Sequence, residues 1–238
     1  MIYNLDCVSG MREHVSTGSI DLIFTDPPYG INGDQLDRHY NRQPDLVVPG
    51  YREVPADRYG DFSRDWITQC ERVLRPGGSI YIVSGYTNLH HILNALHATD
   101  LEEVNHLIAH YSFGVYTTRK WVSSHYHVLF WAKKAAGGQR RTFNTHCRFP
   151  GTADSYGDRL SVQPLVRRYQ TNQPRNTNQL PESFVSKFIE YSSHAGDRVL
   201  DPFAGSFSTG RAALALGREF VGFEINTAAY DLWASTAV

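Results

Sequence analysis

Asp26-Pro27-Pro28-Tyr29 is the stretch of this chain whose side chains most clearly invite chemistry. The two prolines fix φ and remove two backbone donors. Their carbonyls are left as acceptors in a stiff turn, Asp26 adds a carboxylate, and Tyr29 adds a flat aromatic face. This set suits an exocyclic NH2 group of adenine or cytosine. Such an amine is a poor nucleophile because its lone pair is delocalised into the ring. Two acceptors on its two N–H bonds favour a pyramidal nitrogen and stabilise the positive charge that develops as a methyl group arrives. An aromatic ring can stack on a base taken out of its helix. On this reading Asp26 and the Pro27 carbonyl hold the amine, Pro28 keeps the turn rigid and Tyr29 stacks. A rigid turn that merely ends a strand is the alternative.

A second stretch, Val199-Leu200-Asp201-Pro202-Phe203-Ala204-Gly205-Ser206-Phe207-Ser208-Thr209-Gly210, reads as a strand, a loop rich in small residues and the start of a helix. Small residues let a ligand approach the backbone, and a helix N-terminus offers unpaired N–H groups. About 20 residues later an apolar strand ends at Glu224, where a carboxylate can hold both hydroxyls of a ribose. The pattern is that of a nucleoside site. A packing turn followed by a surface glutamate is the alternative.

Both stretches need elements to position them. Residues 19–24 read as a buried strand that ends at Thr25-Asp26-Pro27-Pro28. Apolar residues at Phe62, Trp66, Ile67, Cys70, Val73 and Leu74 have helical spacing over 61–74, stopped by Arg75-Pro76-Gly77-Gly78. Strands are expected at 79–83, 104–111, 126–132, 198–200 and 219–223, and helices at 89–96, from Pro181 to about Tyr191, and at 209–216. This alternation predicts an α/β fold with a largely parallel sheet, in which ligands gather at the carboxyl ends of strands. Residues 30–60 and 135–178 lack periodicity and read as long loops or insertions.

The 238 residues, 41% of them hydrophobic, suit one domain with a sizeable core. No run of 18 apolar residues is present and residues 1–6 do not read as a signal peptide, so a soluble, cytoplasmic protein without membrane contact is expected. Net charge is −1 overall, but residues 133–175 carry nine Lys or Arg against Asp154 and Asp158, a net +7 that leaves −8 on the rest. A basic segment on an acidic body suits a localised phosphate-binding face, or a solvated loop.

Taken together and in this order, Asp26-Pro27-Pro28-Tyr29 and Asp201-Pro202-Phe203-Ala204-Gly205-Ser206 resemble the amino-methyltransferases of DNA, in their circularly permuted β class. Further likeness lies in Asn4-Leu5-Asp6-Cys7, Arg72-Val73-Leu74-Arg75-Pro76-Gly77-Gly78, the Tyr126–Lys133 segment and Asn178-Gln179-Leu180-Pro181. The resemblance implies a Rossmann-like S-adenosylmethionine-dependent fold with helices on both faces of the sheet. It implies one domain over 1–238: a catalytic half at 1–134, a basic target-recognition insertion at about 135–177 and a cofactor half at 178–238. Asp201, Phe203, Ala204, Gly205, Ser206 and Thr209 would line the methionine end of S-adenosylmethionine. Glu224, with Asn226, would serve the ribose end, Asp6 and Cys7 would touch the adenine ring, and Gln179, Leu180 and Pro181 would close over the cofactor. The partner implied is double-stranded DNA in a prokaryotic or phage-infected cell, with a homodimer left open. Phe207 departs from the family, which usually has glycine there; its ring must either crowd the cofactor or point away.

Within the basic segment, Arg140, Arg141, Arg148, Arg167 and Arg168 are the DNA-binding candidates, for phosphates ahead of bases. His125 and His127 would share a strand face, but no partner carboxylate at persuasive spacing supports a metal, and none is expected. Cys7, Cys70 and Cys147 form no zinc or disulfide pattern. None follows a proline as the nucleophile of the cytosine-C5 enzymes does. Phe130-Trp131 reads as core. The expected reaction is methyl transfer to N6 of a flipped adenine, since the resemblance implies that Asp rather than Ser at the head of the turn goes with adenine. N4 of cytosine is the alternative, with an RNA or protein-glutamine methyltransferase, or an inactive DNA-binding homologue, beyond it.

Overall fold

The computed structural model describes residues 1–31, 53–112, 117–145, 156–166 and 179–234. Arg148, Arg167, Arg168, Cys147 and most of the expected 30–60 loop lie outside them. The strands are β1 (Ile2–Tyr3), β2 (Ile20–Thr25), β3 (Leu74–Ser84), β4 (Leu101–His110), β5 (His125–Lys133), β6 (Val162–Pro164), β7 (Arg198–Asp201) and β8 (Glu219–Phe223). They form one sheet in the order β1-β8-β7-β2-β3-β5-β4-β6. From β1 through β3 every pair is parallel; β5 runs antiparallel to both β3 and β4, and β6 lies parallel to β4. The helices are α1 (Cys7–His14), α2 (Tyr59–Val73), α3 (Leu89–His97), α4 (Glu182–Ser192), α5 (Ser208–Ala215) and α6 (Thr227–Ala234). No described helix is long and apolar enough to cross a membrane.

Strand alternation sorts the side chains into two cores, the expected α/β layering with helices on both faces. Ile23, Ile80, Ile82, Leu200, Val221 and Phe223 point to one face and pack with Met11 of α1, Trp66, Ile67 and Cys70 of α2 and Ile92 and Leu96 of α3. Leu22, Phe24, Tyr81, Val83, Val199 and Phe220 point to the other and pack with Phe184, Val185 and Phe188 of α4 and Ala212 and Ala213 of α5. Phe130 and Trp131 are buried, one in each core. A strand buried on both faces reads as a continuous apolar run, which is why β2 and β3 stand out in the sequence.

Two boundaries differ from expectation. Helix α2 begins two residues early, and Arg75-Pro76-Gly77-Gly78 is not a terminator loop but the leading stretch of β3. Pairing opens with Ile20 opposite Leu74 and resumes with Leu22 opposite Ser79, a register shift that takes up the extra residues. Gly77 sits at φ 75° within it. A bulge of this kind accommodates a proline that cannot donate to the ladder. Helix α1 was also unexpected. Its cap is local: Asp6 Oδ1 accepts from the N–H groups of Val8 and Ser9, each at 3.0 Å.

Phe207 resolves its own ambiguity. The ring is fully buried in the α4/α5 core. Its backbone lies at φ 59°, ψ 26°, the left-handed region that glycine enters freely. It is the one non-glycine with positive φ among the described residues. The family's glycine thus meets a backbone requirement, and here an aromatic anchor outweighs it. Deleting a buried phenyl group costs about 3–5 kcal/mol, whereas relief of a left-handed residue returns about 1–2 kcal/mol. Phe207→Gly should therefore lower stability by about 2–3 kcal/mol net, read as a lower urea midpoint at unchanged slope. A rise in the midpoint would show that strain, not burial, dominates.

Candidate active site

The Asp26-Pro27-Pro28-Tyr29 turn leaves the carboxyl end of β2 and is held from four sides. The Tyr29 hydroxyl donates to Asp26 Oδ1 at 2.7 Å. Tyr59, the first residue of α2, donates its hydroxyl to the Pro28 carbonyl at 2.6 Å. Asn88, at the start of α3, donates its amide to the carbonyls of Tyr29 (2.8 Å) and Gly30 (3.0 Å). The Gly30 N–H donates to Glu53 Oε1 at 2.8 Å. Burial, with Glu53 and Asp26 adding to it, pushes the Tyr59 hydroxyl's pKa upward, so it stays a neutral donor. Gly85 lies under the Tyr29 ring, which a β-carbon there would meet at 3.3 Å. The Tyr126 ring stands 5.9 Å away on the other side. Pro27 is buried, and among the described residues none donates to its carbonyl. The Pro28 carbonyl is engaged by Tyr59, which leaves Asp26 and Pro27 as the turn's candidate acceptors.

The small-residue loop leaves the neighbouring strand at the same edge. Leu22 pairs with Val199 and Ile23 with Leu200 in parallel register, so the two strands end side by side. Thr25 Oγ1 donates to Asp201 Oδ1 at 2.8 Å across that boundary, between residues 176 apart in sequence. The Phe203 N–H (3.1 Å) and the Thr209 hydroxyl also serve Asp201. Burial outweighs these bonds and pushes its carboxyl pKa up to about 6.

Beyond Asp201 the loop is laid against the end of β8. The Ala204 N–H reaches the Phe223 carbonyl at 2.8 Å. Glu224 is clamped: Oε2 accepts from Gly205 N–H at 2.8 Å and Oε1 from Asn226 N–H at 2.7 Å. Asn4 donates its amide to the Glu224 carbonyl at 2.7 Å. Each Glu224 oxygen takes one backbone donor and retains acceptor capacity. Burial raises this carboxyl's pKa too. Asn226 caps α6 through its side-chain oxygen, 3.0 Å from Ala228 N–H. Ser206 and Ser208 hydroxyls meet at 3.1 Å. The Phe203 ring packs against Phe62 (5.6 Å) and edge-on against Trp66 (5.3 Å).

The remaining cofactor candidates fall around this loop. Asp6 is exposed and spends Oδ1 on capping α1. Cys7 is buried, and burial, then Asp6, holds its thiol neutral; Asp201 is near enough to add to that. Leu180 is buried in the α4/α5 core, and Pro181 starts α4 with its carbonyl accepting from Phe184 and Val185. Arg211 ties this start to the loop, bonding Glu182 and the Ser206 carbonyl (2.7 Å). Gln179 precedes it, partly buried.

The basic segment is divided. Strand β5 ends at the opposite, amino edge of the sheet, because Ala132 pairs with Ser79 while His127 pairs with Ser84. Residues 134–145 continue there. The backbone of Arg140 and Arg141 lies against Gly77, where a β-carbon would meet Arg140 at 2.8 Å. The Arg141 guanidinium sits over Phe130 (5.3 Å) and Phe143 (5.7 Å). Gly77 is six residues from the level of Asp26 along β3, about 20 Å at strand rise. Arg140 and Arg141 are therefore not at the edge that carries the catalytic turn.

Thr25, Glu53, Tyr59, Asn88 and Asn4 do structural work at the site that the sequence reading did not assign. Only Asn4 and Thr25 adjoin quoted motifs; the others are distant in sequence and carry no local signature. Of the histidines, His106 Nε2 meets His127 Nδ1 at 2.9 Å, and among the described residues no group of three or more His, Cys, Asp or Glu is placed to hold a metal.

The N6/N4 DNA methylase family model matches residues 20–235. The chain is 31% identical over 235 residues to the DNA adenine methyltransferase YhdJ of Escherichia coli (strain K12), an alignment covering 88% of this chain and 73% of that protein. The solved M1.HpyAVI–SAM complex superposes with a TM-score of 0.69 at 19% identity, over 99% of this chain and 97% of that one. The PvuII DNA methyltransferase, cytosine-N4-specific, gives 0.72 at 14% identity, over 96% and 84%. These two structures share the fold, and the family match spans both the acceptor turn and the small-residue loop. The chain belongs to the family of N6/N4 DNA methylases.

Proposed function

We propose that this chain transfers a methyl group from S-adenosylmethionine to N6 of an adenine extruded from duplex DNA. One observation carries the reading: the Thr25–Asp201 hydrogen bond, which seats an amine-holding turn beside a nucleoside-type loop at one sheet edge. The adenine choice is supported by Asp at the head of the turn and by the likeness to a relative named for adenine. The residues suit this cofactor. Asp201 is a buried carboxylate and Glu224 a partly buried one, both bonded to the loop of small residues, an acceptor set for ribose hydroxyls and for positive charge. When bound, S-adenosylmethionine supplies an electrophilic methyl group on a positively charged sulfur.

The chain's own residues do the rest. Asp26 would take one N–H of the amine and the Pro27 carbonyl the other, which pyramidalises the nitrogen and withdraws its lone pair from conjugation with the ring. As the N–C bond forms, the positive charge on nitrogen would fall beside the Asp26 carboxylate, where preorganised acceptors are worth most, and the surplus amine proton would leave by way of that carboxylate to solvent. Tyr29 stacks on the base, its hydroxyl bond to Asp26 fixing ring and carboxylate together. Glu224 holds the ribose. A covalent route through Cys7 or Cys70 is disfavoured, since burial keeps both thiols protonated. A cytoplasmic location fits this substrate.

Asp26→Ala should lower methyl incorporation into DNA by about a hundred- to a thousand-fold while leaving cofactor affinity essentially unchanged. Tyr29→Phe, which removes only the tether, should keep most activity. Tritiated-methyl incorporation with calorimetric cofactor binding separates the two effects. Mass analysis of the digested nucleosides should give N6-methyladenine; N4-methylcytosine would replace the base assigned, and normal turnover by Asp26→Ala would sink the mechanism.

Cofactor affinity should also depend on pH. A cationic ligand binds best to ionised Asp201. With that carboxyl near 6 in the free protein, affinity should be level above pH 7 and fall towards ten-fold per pH unit below 6. Asp201→Asn should weaken binding at pH 8 and flatten the profile. A profile with the same slope in that variant would assign the proton elsewhere.

A further inference from the structure

The β4–β5 connection presents a compact set of exposed groups at the catalytic edge. His110 pairs with His125, and Ser84 with His127, so both strands enter the connection where Asp26 lies. Tyr111 N–H closes its base on the Ser124 carbonyl at 2.8 Å. Above that closure, residues 117–124 hold two cations, Arg119 and Lys120, and no acid. Trp121 is 95% exposed and Val122 44%. Lys120 Nζ lies 3.4 Å from the hydroxyl of Tyr86, itself 59% exposed. Tyr86 directly follows Gly85, on which the Tyr29 ring rests. At the connection's other end Tyr126 faces both Tyr29 (5.9 Å) and Tyr111 (4.8 Å). Tyr126 is five positions beyond Trp121, so they lie within about 17 Å of each other, a distance of a few stacked base pairs.

A tryptophan fully in water gains nothing for the fold, and Trp121, Val122 and Tyr86 together expose apolar surface of the kind that marks an interaction site. Beside two unopposed cations it has the make-up of a nucleic-acid contact: charge for phosphates and a flat face for bases. The carboxylates of Asp26, Glu53, Asp201 and Glu224 stand at this same edge of the sheet and repel phosphate, so the cations that hold the backbone must stand apart from them. Arg140 and Arg141, at the far edge, are badly placed for this task.

We propose that Arg119, Lys120 and Trp121, with Tyr86, form a duplex-DNA contact at the rim of the active site. Arg119 and Lys120 take phosphates flanking the target, and Trp121 packs against bases next to the one extruded. This inference rests on the DNA-methylating reading above. The test uses the full chain, a fluorescein-labelled mixed-sequence duplex for binding, and unmethylated plasmid DNA for turnover. In the double variant Arg119→Ala/Lys120→Ala, the slope of log affinity against log salt should become shallower by about 2. Trp121→Ala should raise KM for DNA about ten-fold or more with cofactor affinity unchanged, and Trp121→Phe should recover most of that loss. Duplex should quench tryptophan emission in the parent and do so less in Trp121→Phe. Unchanged salt slope, KM and quenching in these variants, with a parent that methylates DNA, would overturn the contact while leaving the function standing. A parent that methylates no DNA overturns the function; the salt slope and quenching need no turnover and still report on the loop. Tighter binding of the same residues to single-stranded RNA than to duplex would overturn the partner.

Discussion

The bond from Thr25 to Asp201 is the joint on which the site depends, because it forms only if β2 and β7 are neighbours, parallel and in register. The acceptor turn and the small-residue loop belong to opposite ends of the chain. Parallel pairing is what brings two carboxyl-terminal strand ends to one edge; an antiparallel neighbour would send the loop to the other side, about 20 Å away for strands of this length. At the opposite edge Asp21 performs a related service. It ion-pairs with Arg75 of β3 and accepts from the Arg198 N–H of β7 at 2.8 Å, so β2 is tied to both neighbours at its start as well as at its finish.

That joint carries a cost that binding can recover. A fully buried carboxyl with three hydrogen-bond donors would ordinarily titrate low, yet with no positive partner among the described residues burial dominates at Asp201. Glu224 shows the same tension more mildly. Two carboxyls held above their usual range around one loop make a cavity that prefers positive charge to arrive with the ligand. Stability is held back and affinity gained by the same desolvation, the usual bargain at sites built for a function rather than for the fold.

The parts of this arrangement that the sequence disclosed are those written locally. The two motifs, the buried strands β2, β3, β7 and β8, and the amphipathic face of α2 each follow from a continuous window of residues. What stayed hidden depends on contacts between windows. Tyr59 reads as the end of the 30–60 loop and Asn88 as the residue before a helix, and neither has a feature that says it will grip the Asp26–Tyr29 turn. Helices α1 and α6, eight residues each, offer too few turns for periodicity to speak, although Asp6 and Asn226 are good caps. Pro76-Gly77-Gly78 looks like a stop, and only the register shift against β2 turns it into strand. The described parts of the basic segment, neighbours in sequence, are not contiguous in space. β5 carries Arg140 and Arg141 to the amino edge, while β6, paired as Ile108 to Val162 and His110 to Pro164, returns towards the carboxyl edge. Proximity to the catalytic turn is set by strand direction, not by position within the charged run.

The depth of the acceptors constrains how a base can meet them. Pro27 is buried, Tyr59 braces the turn from beneath, and Tyr29 and Tyr126 flank it. On the proposed reading, the Pro27 carbonyl would accept only from a group brought close to the turn. An adenine still stacked and paired has one N–H of its amine engaged by thymine, and its ring edge lies within a groove whose walls are phosphate. It cannot offer both N–H bonds to Asp26 and Pro27 at once, and the carboxylates around them would repel the backbone that came with it. Extruding the base removes both obstacles together: the amine is freed from its partner, and the phosphates stay at the rim while only the neutral ring passes in. The recessed, acidic turn and the cationic rim are thus two halves of one electrostatic arrangement.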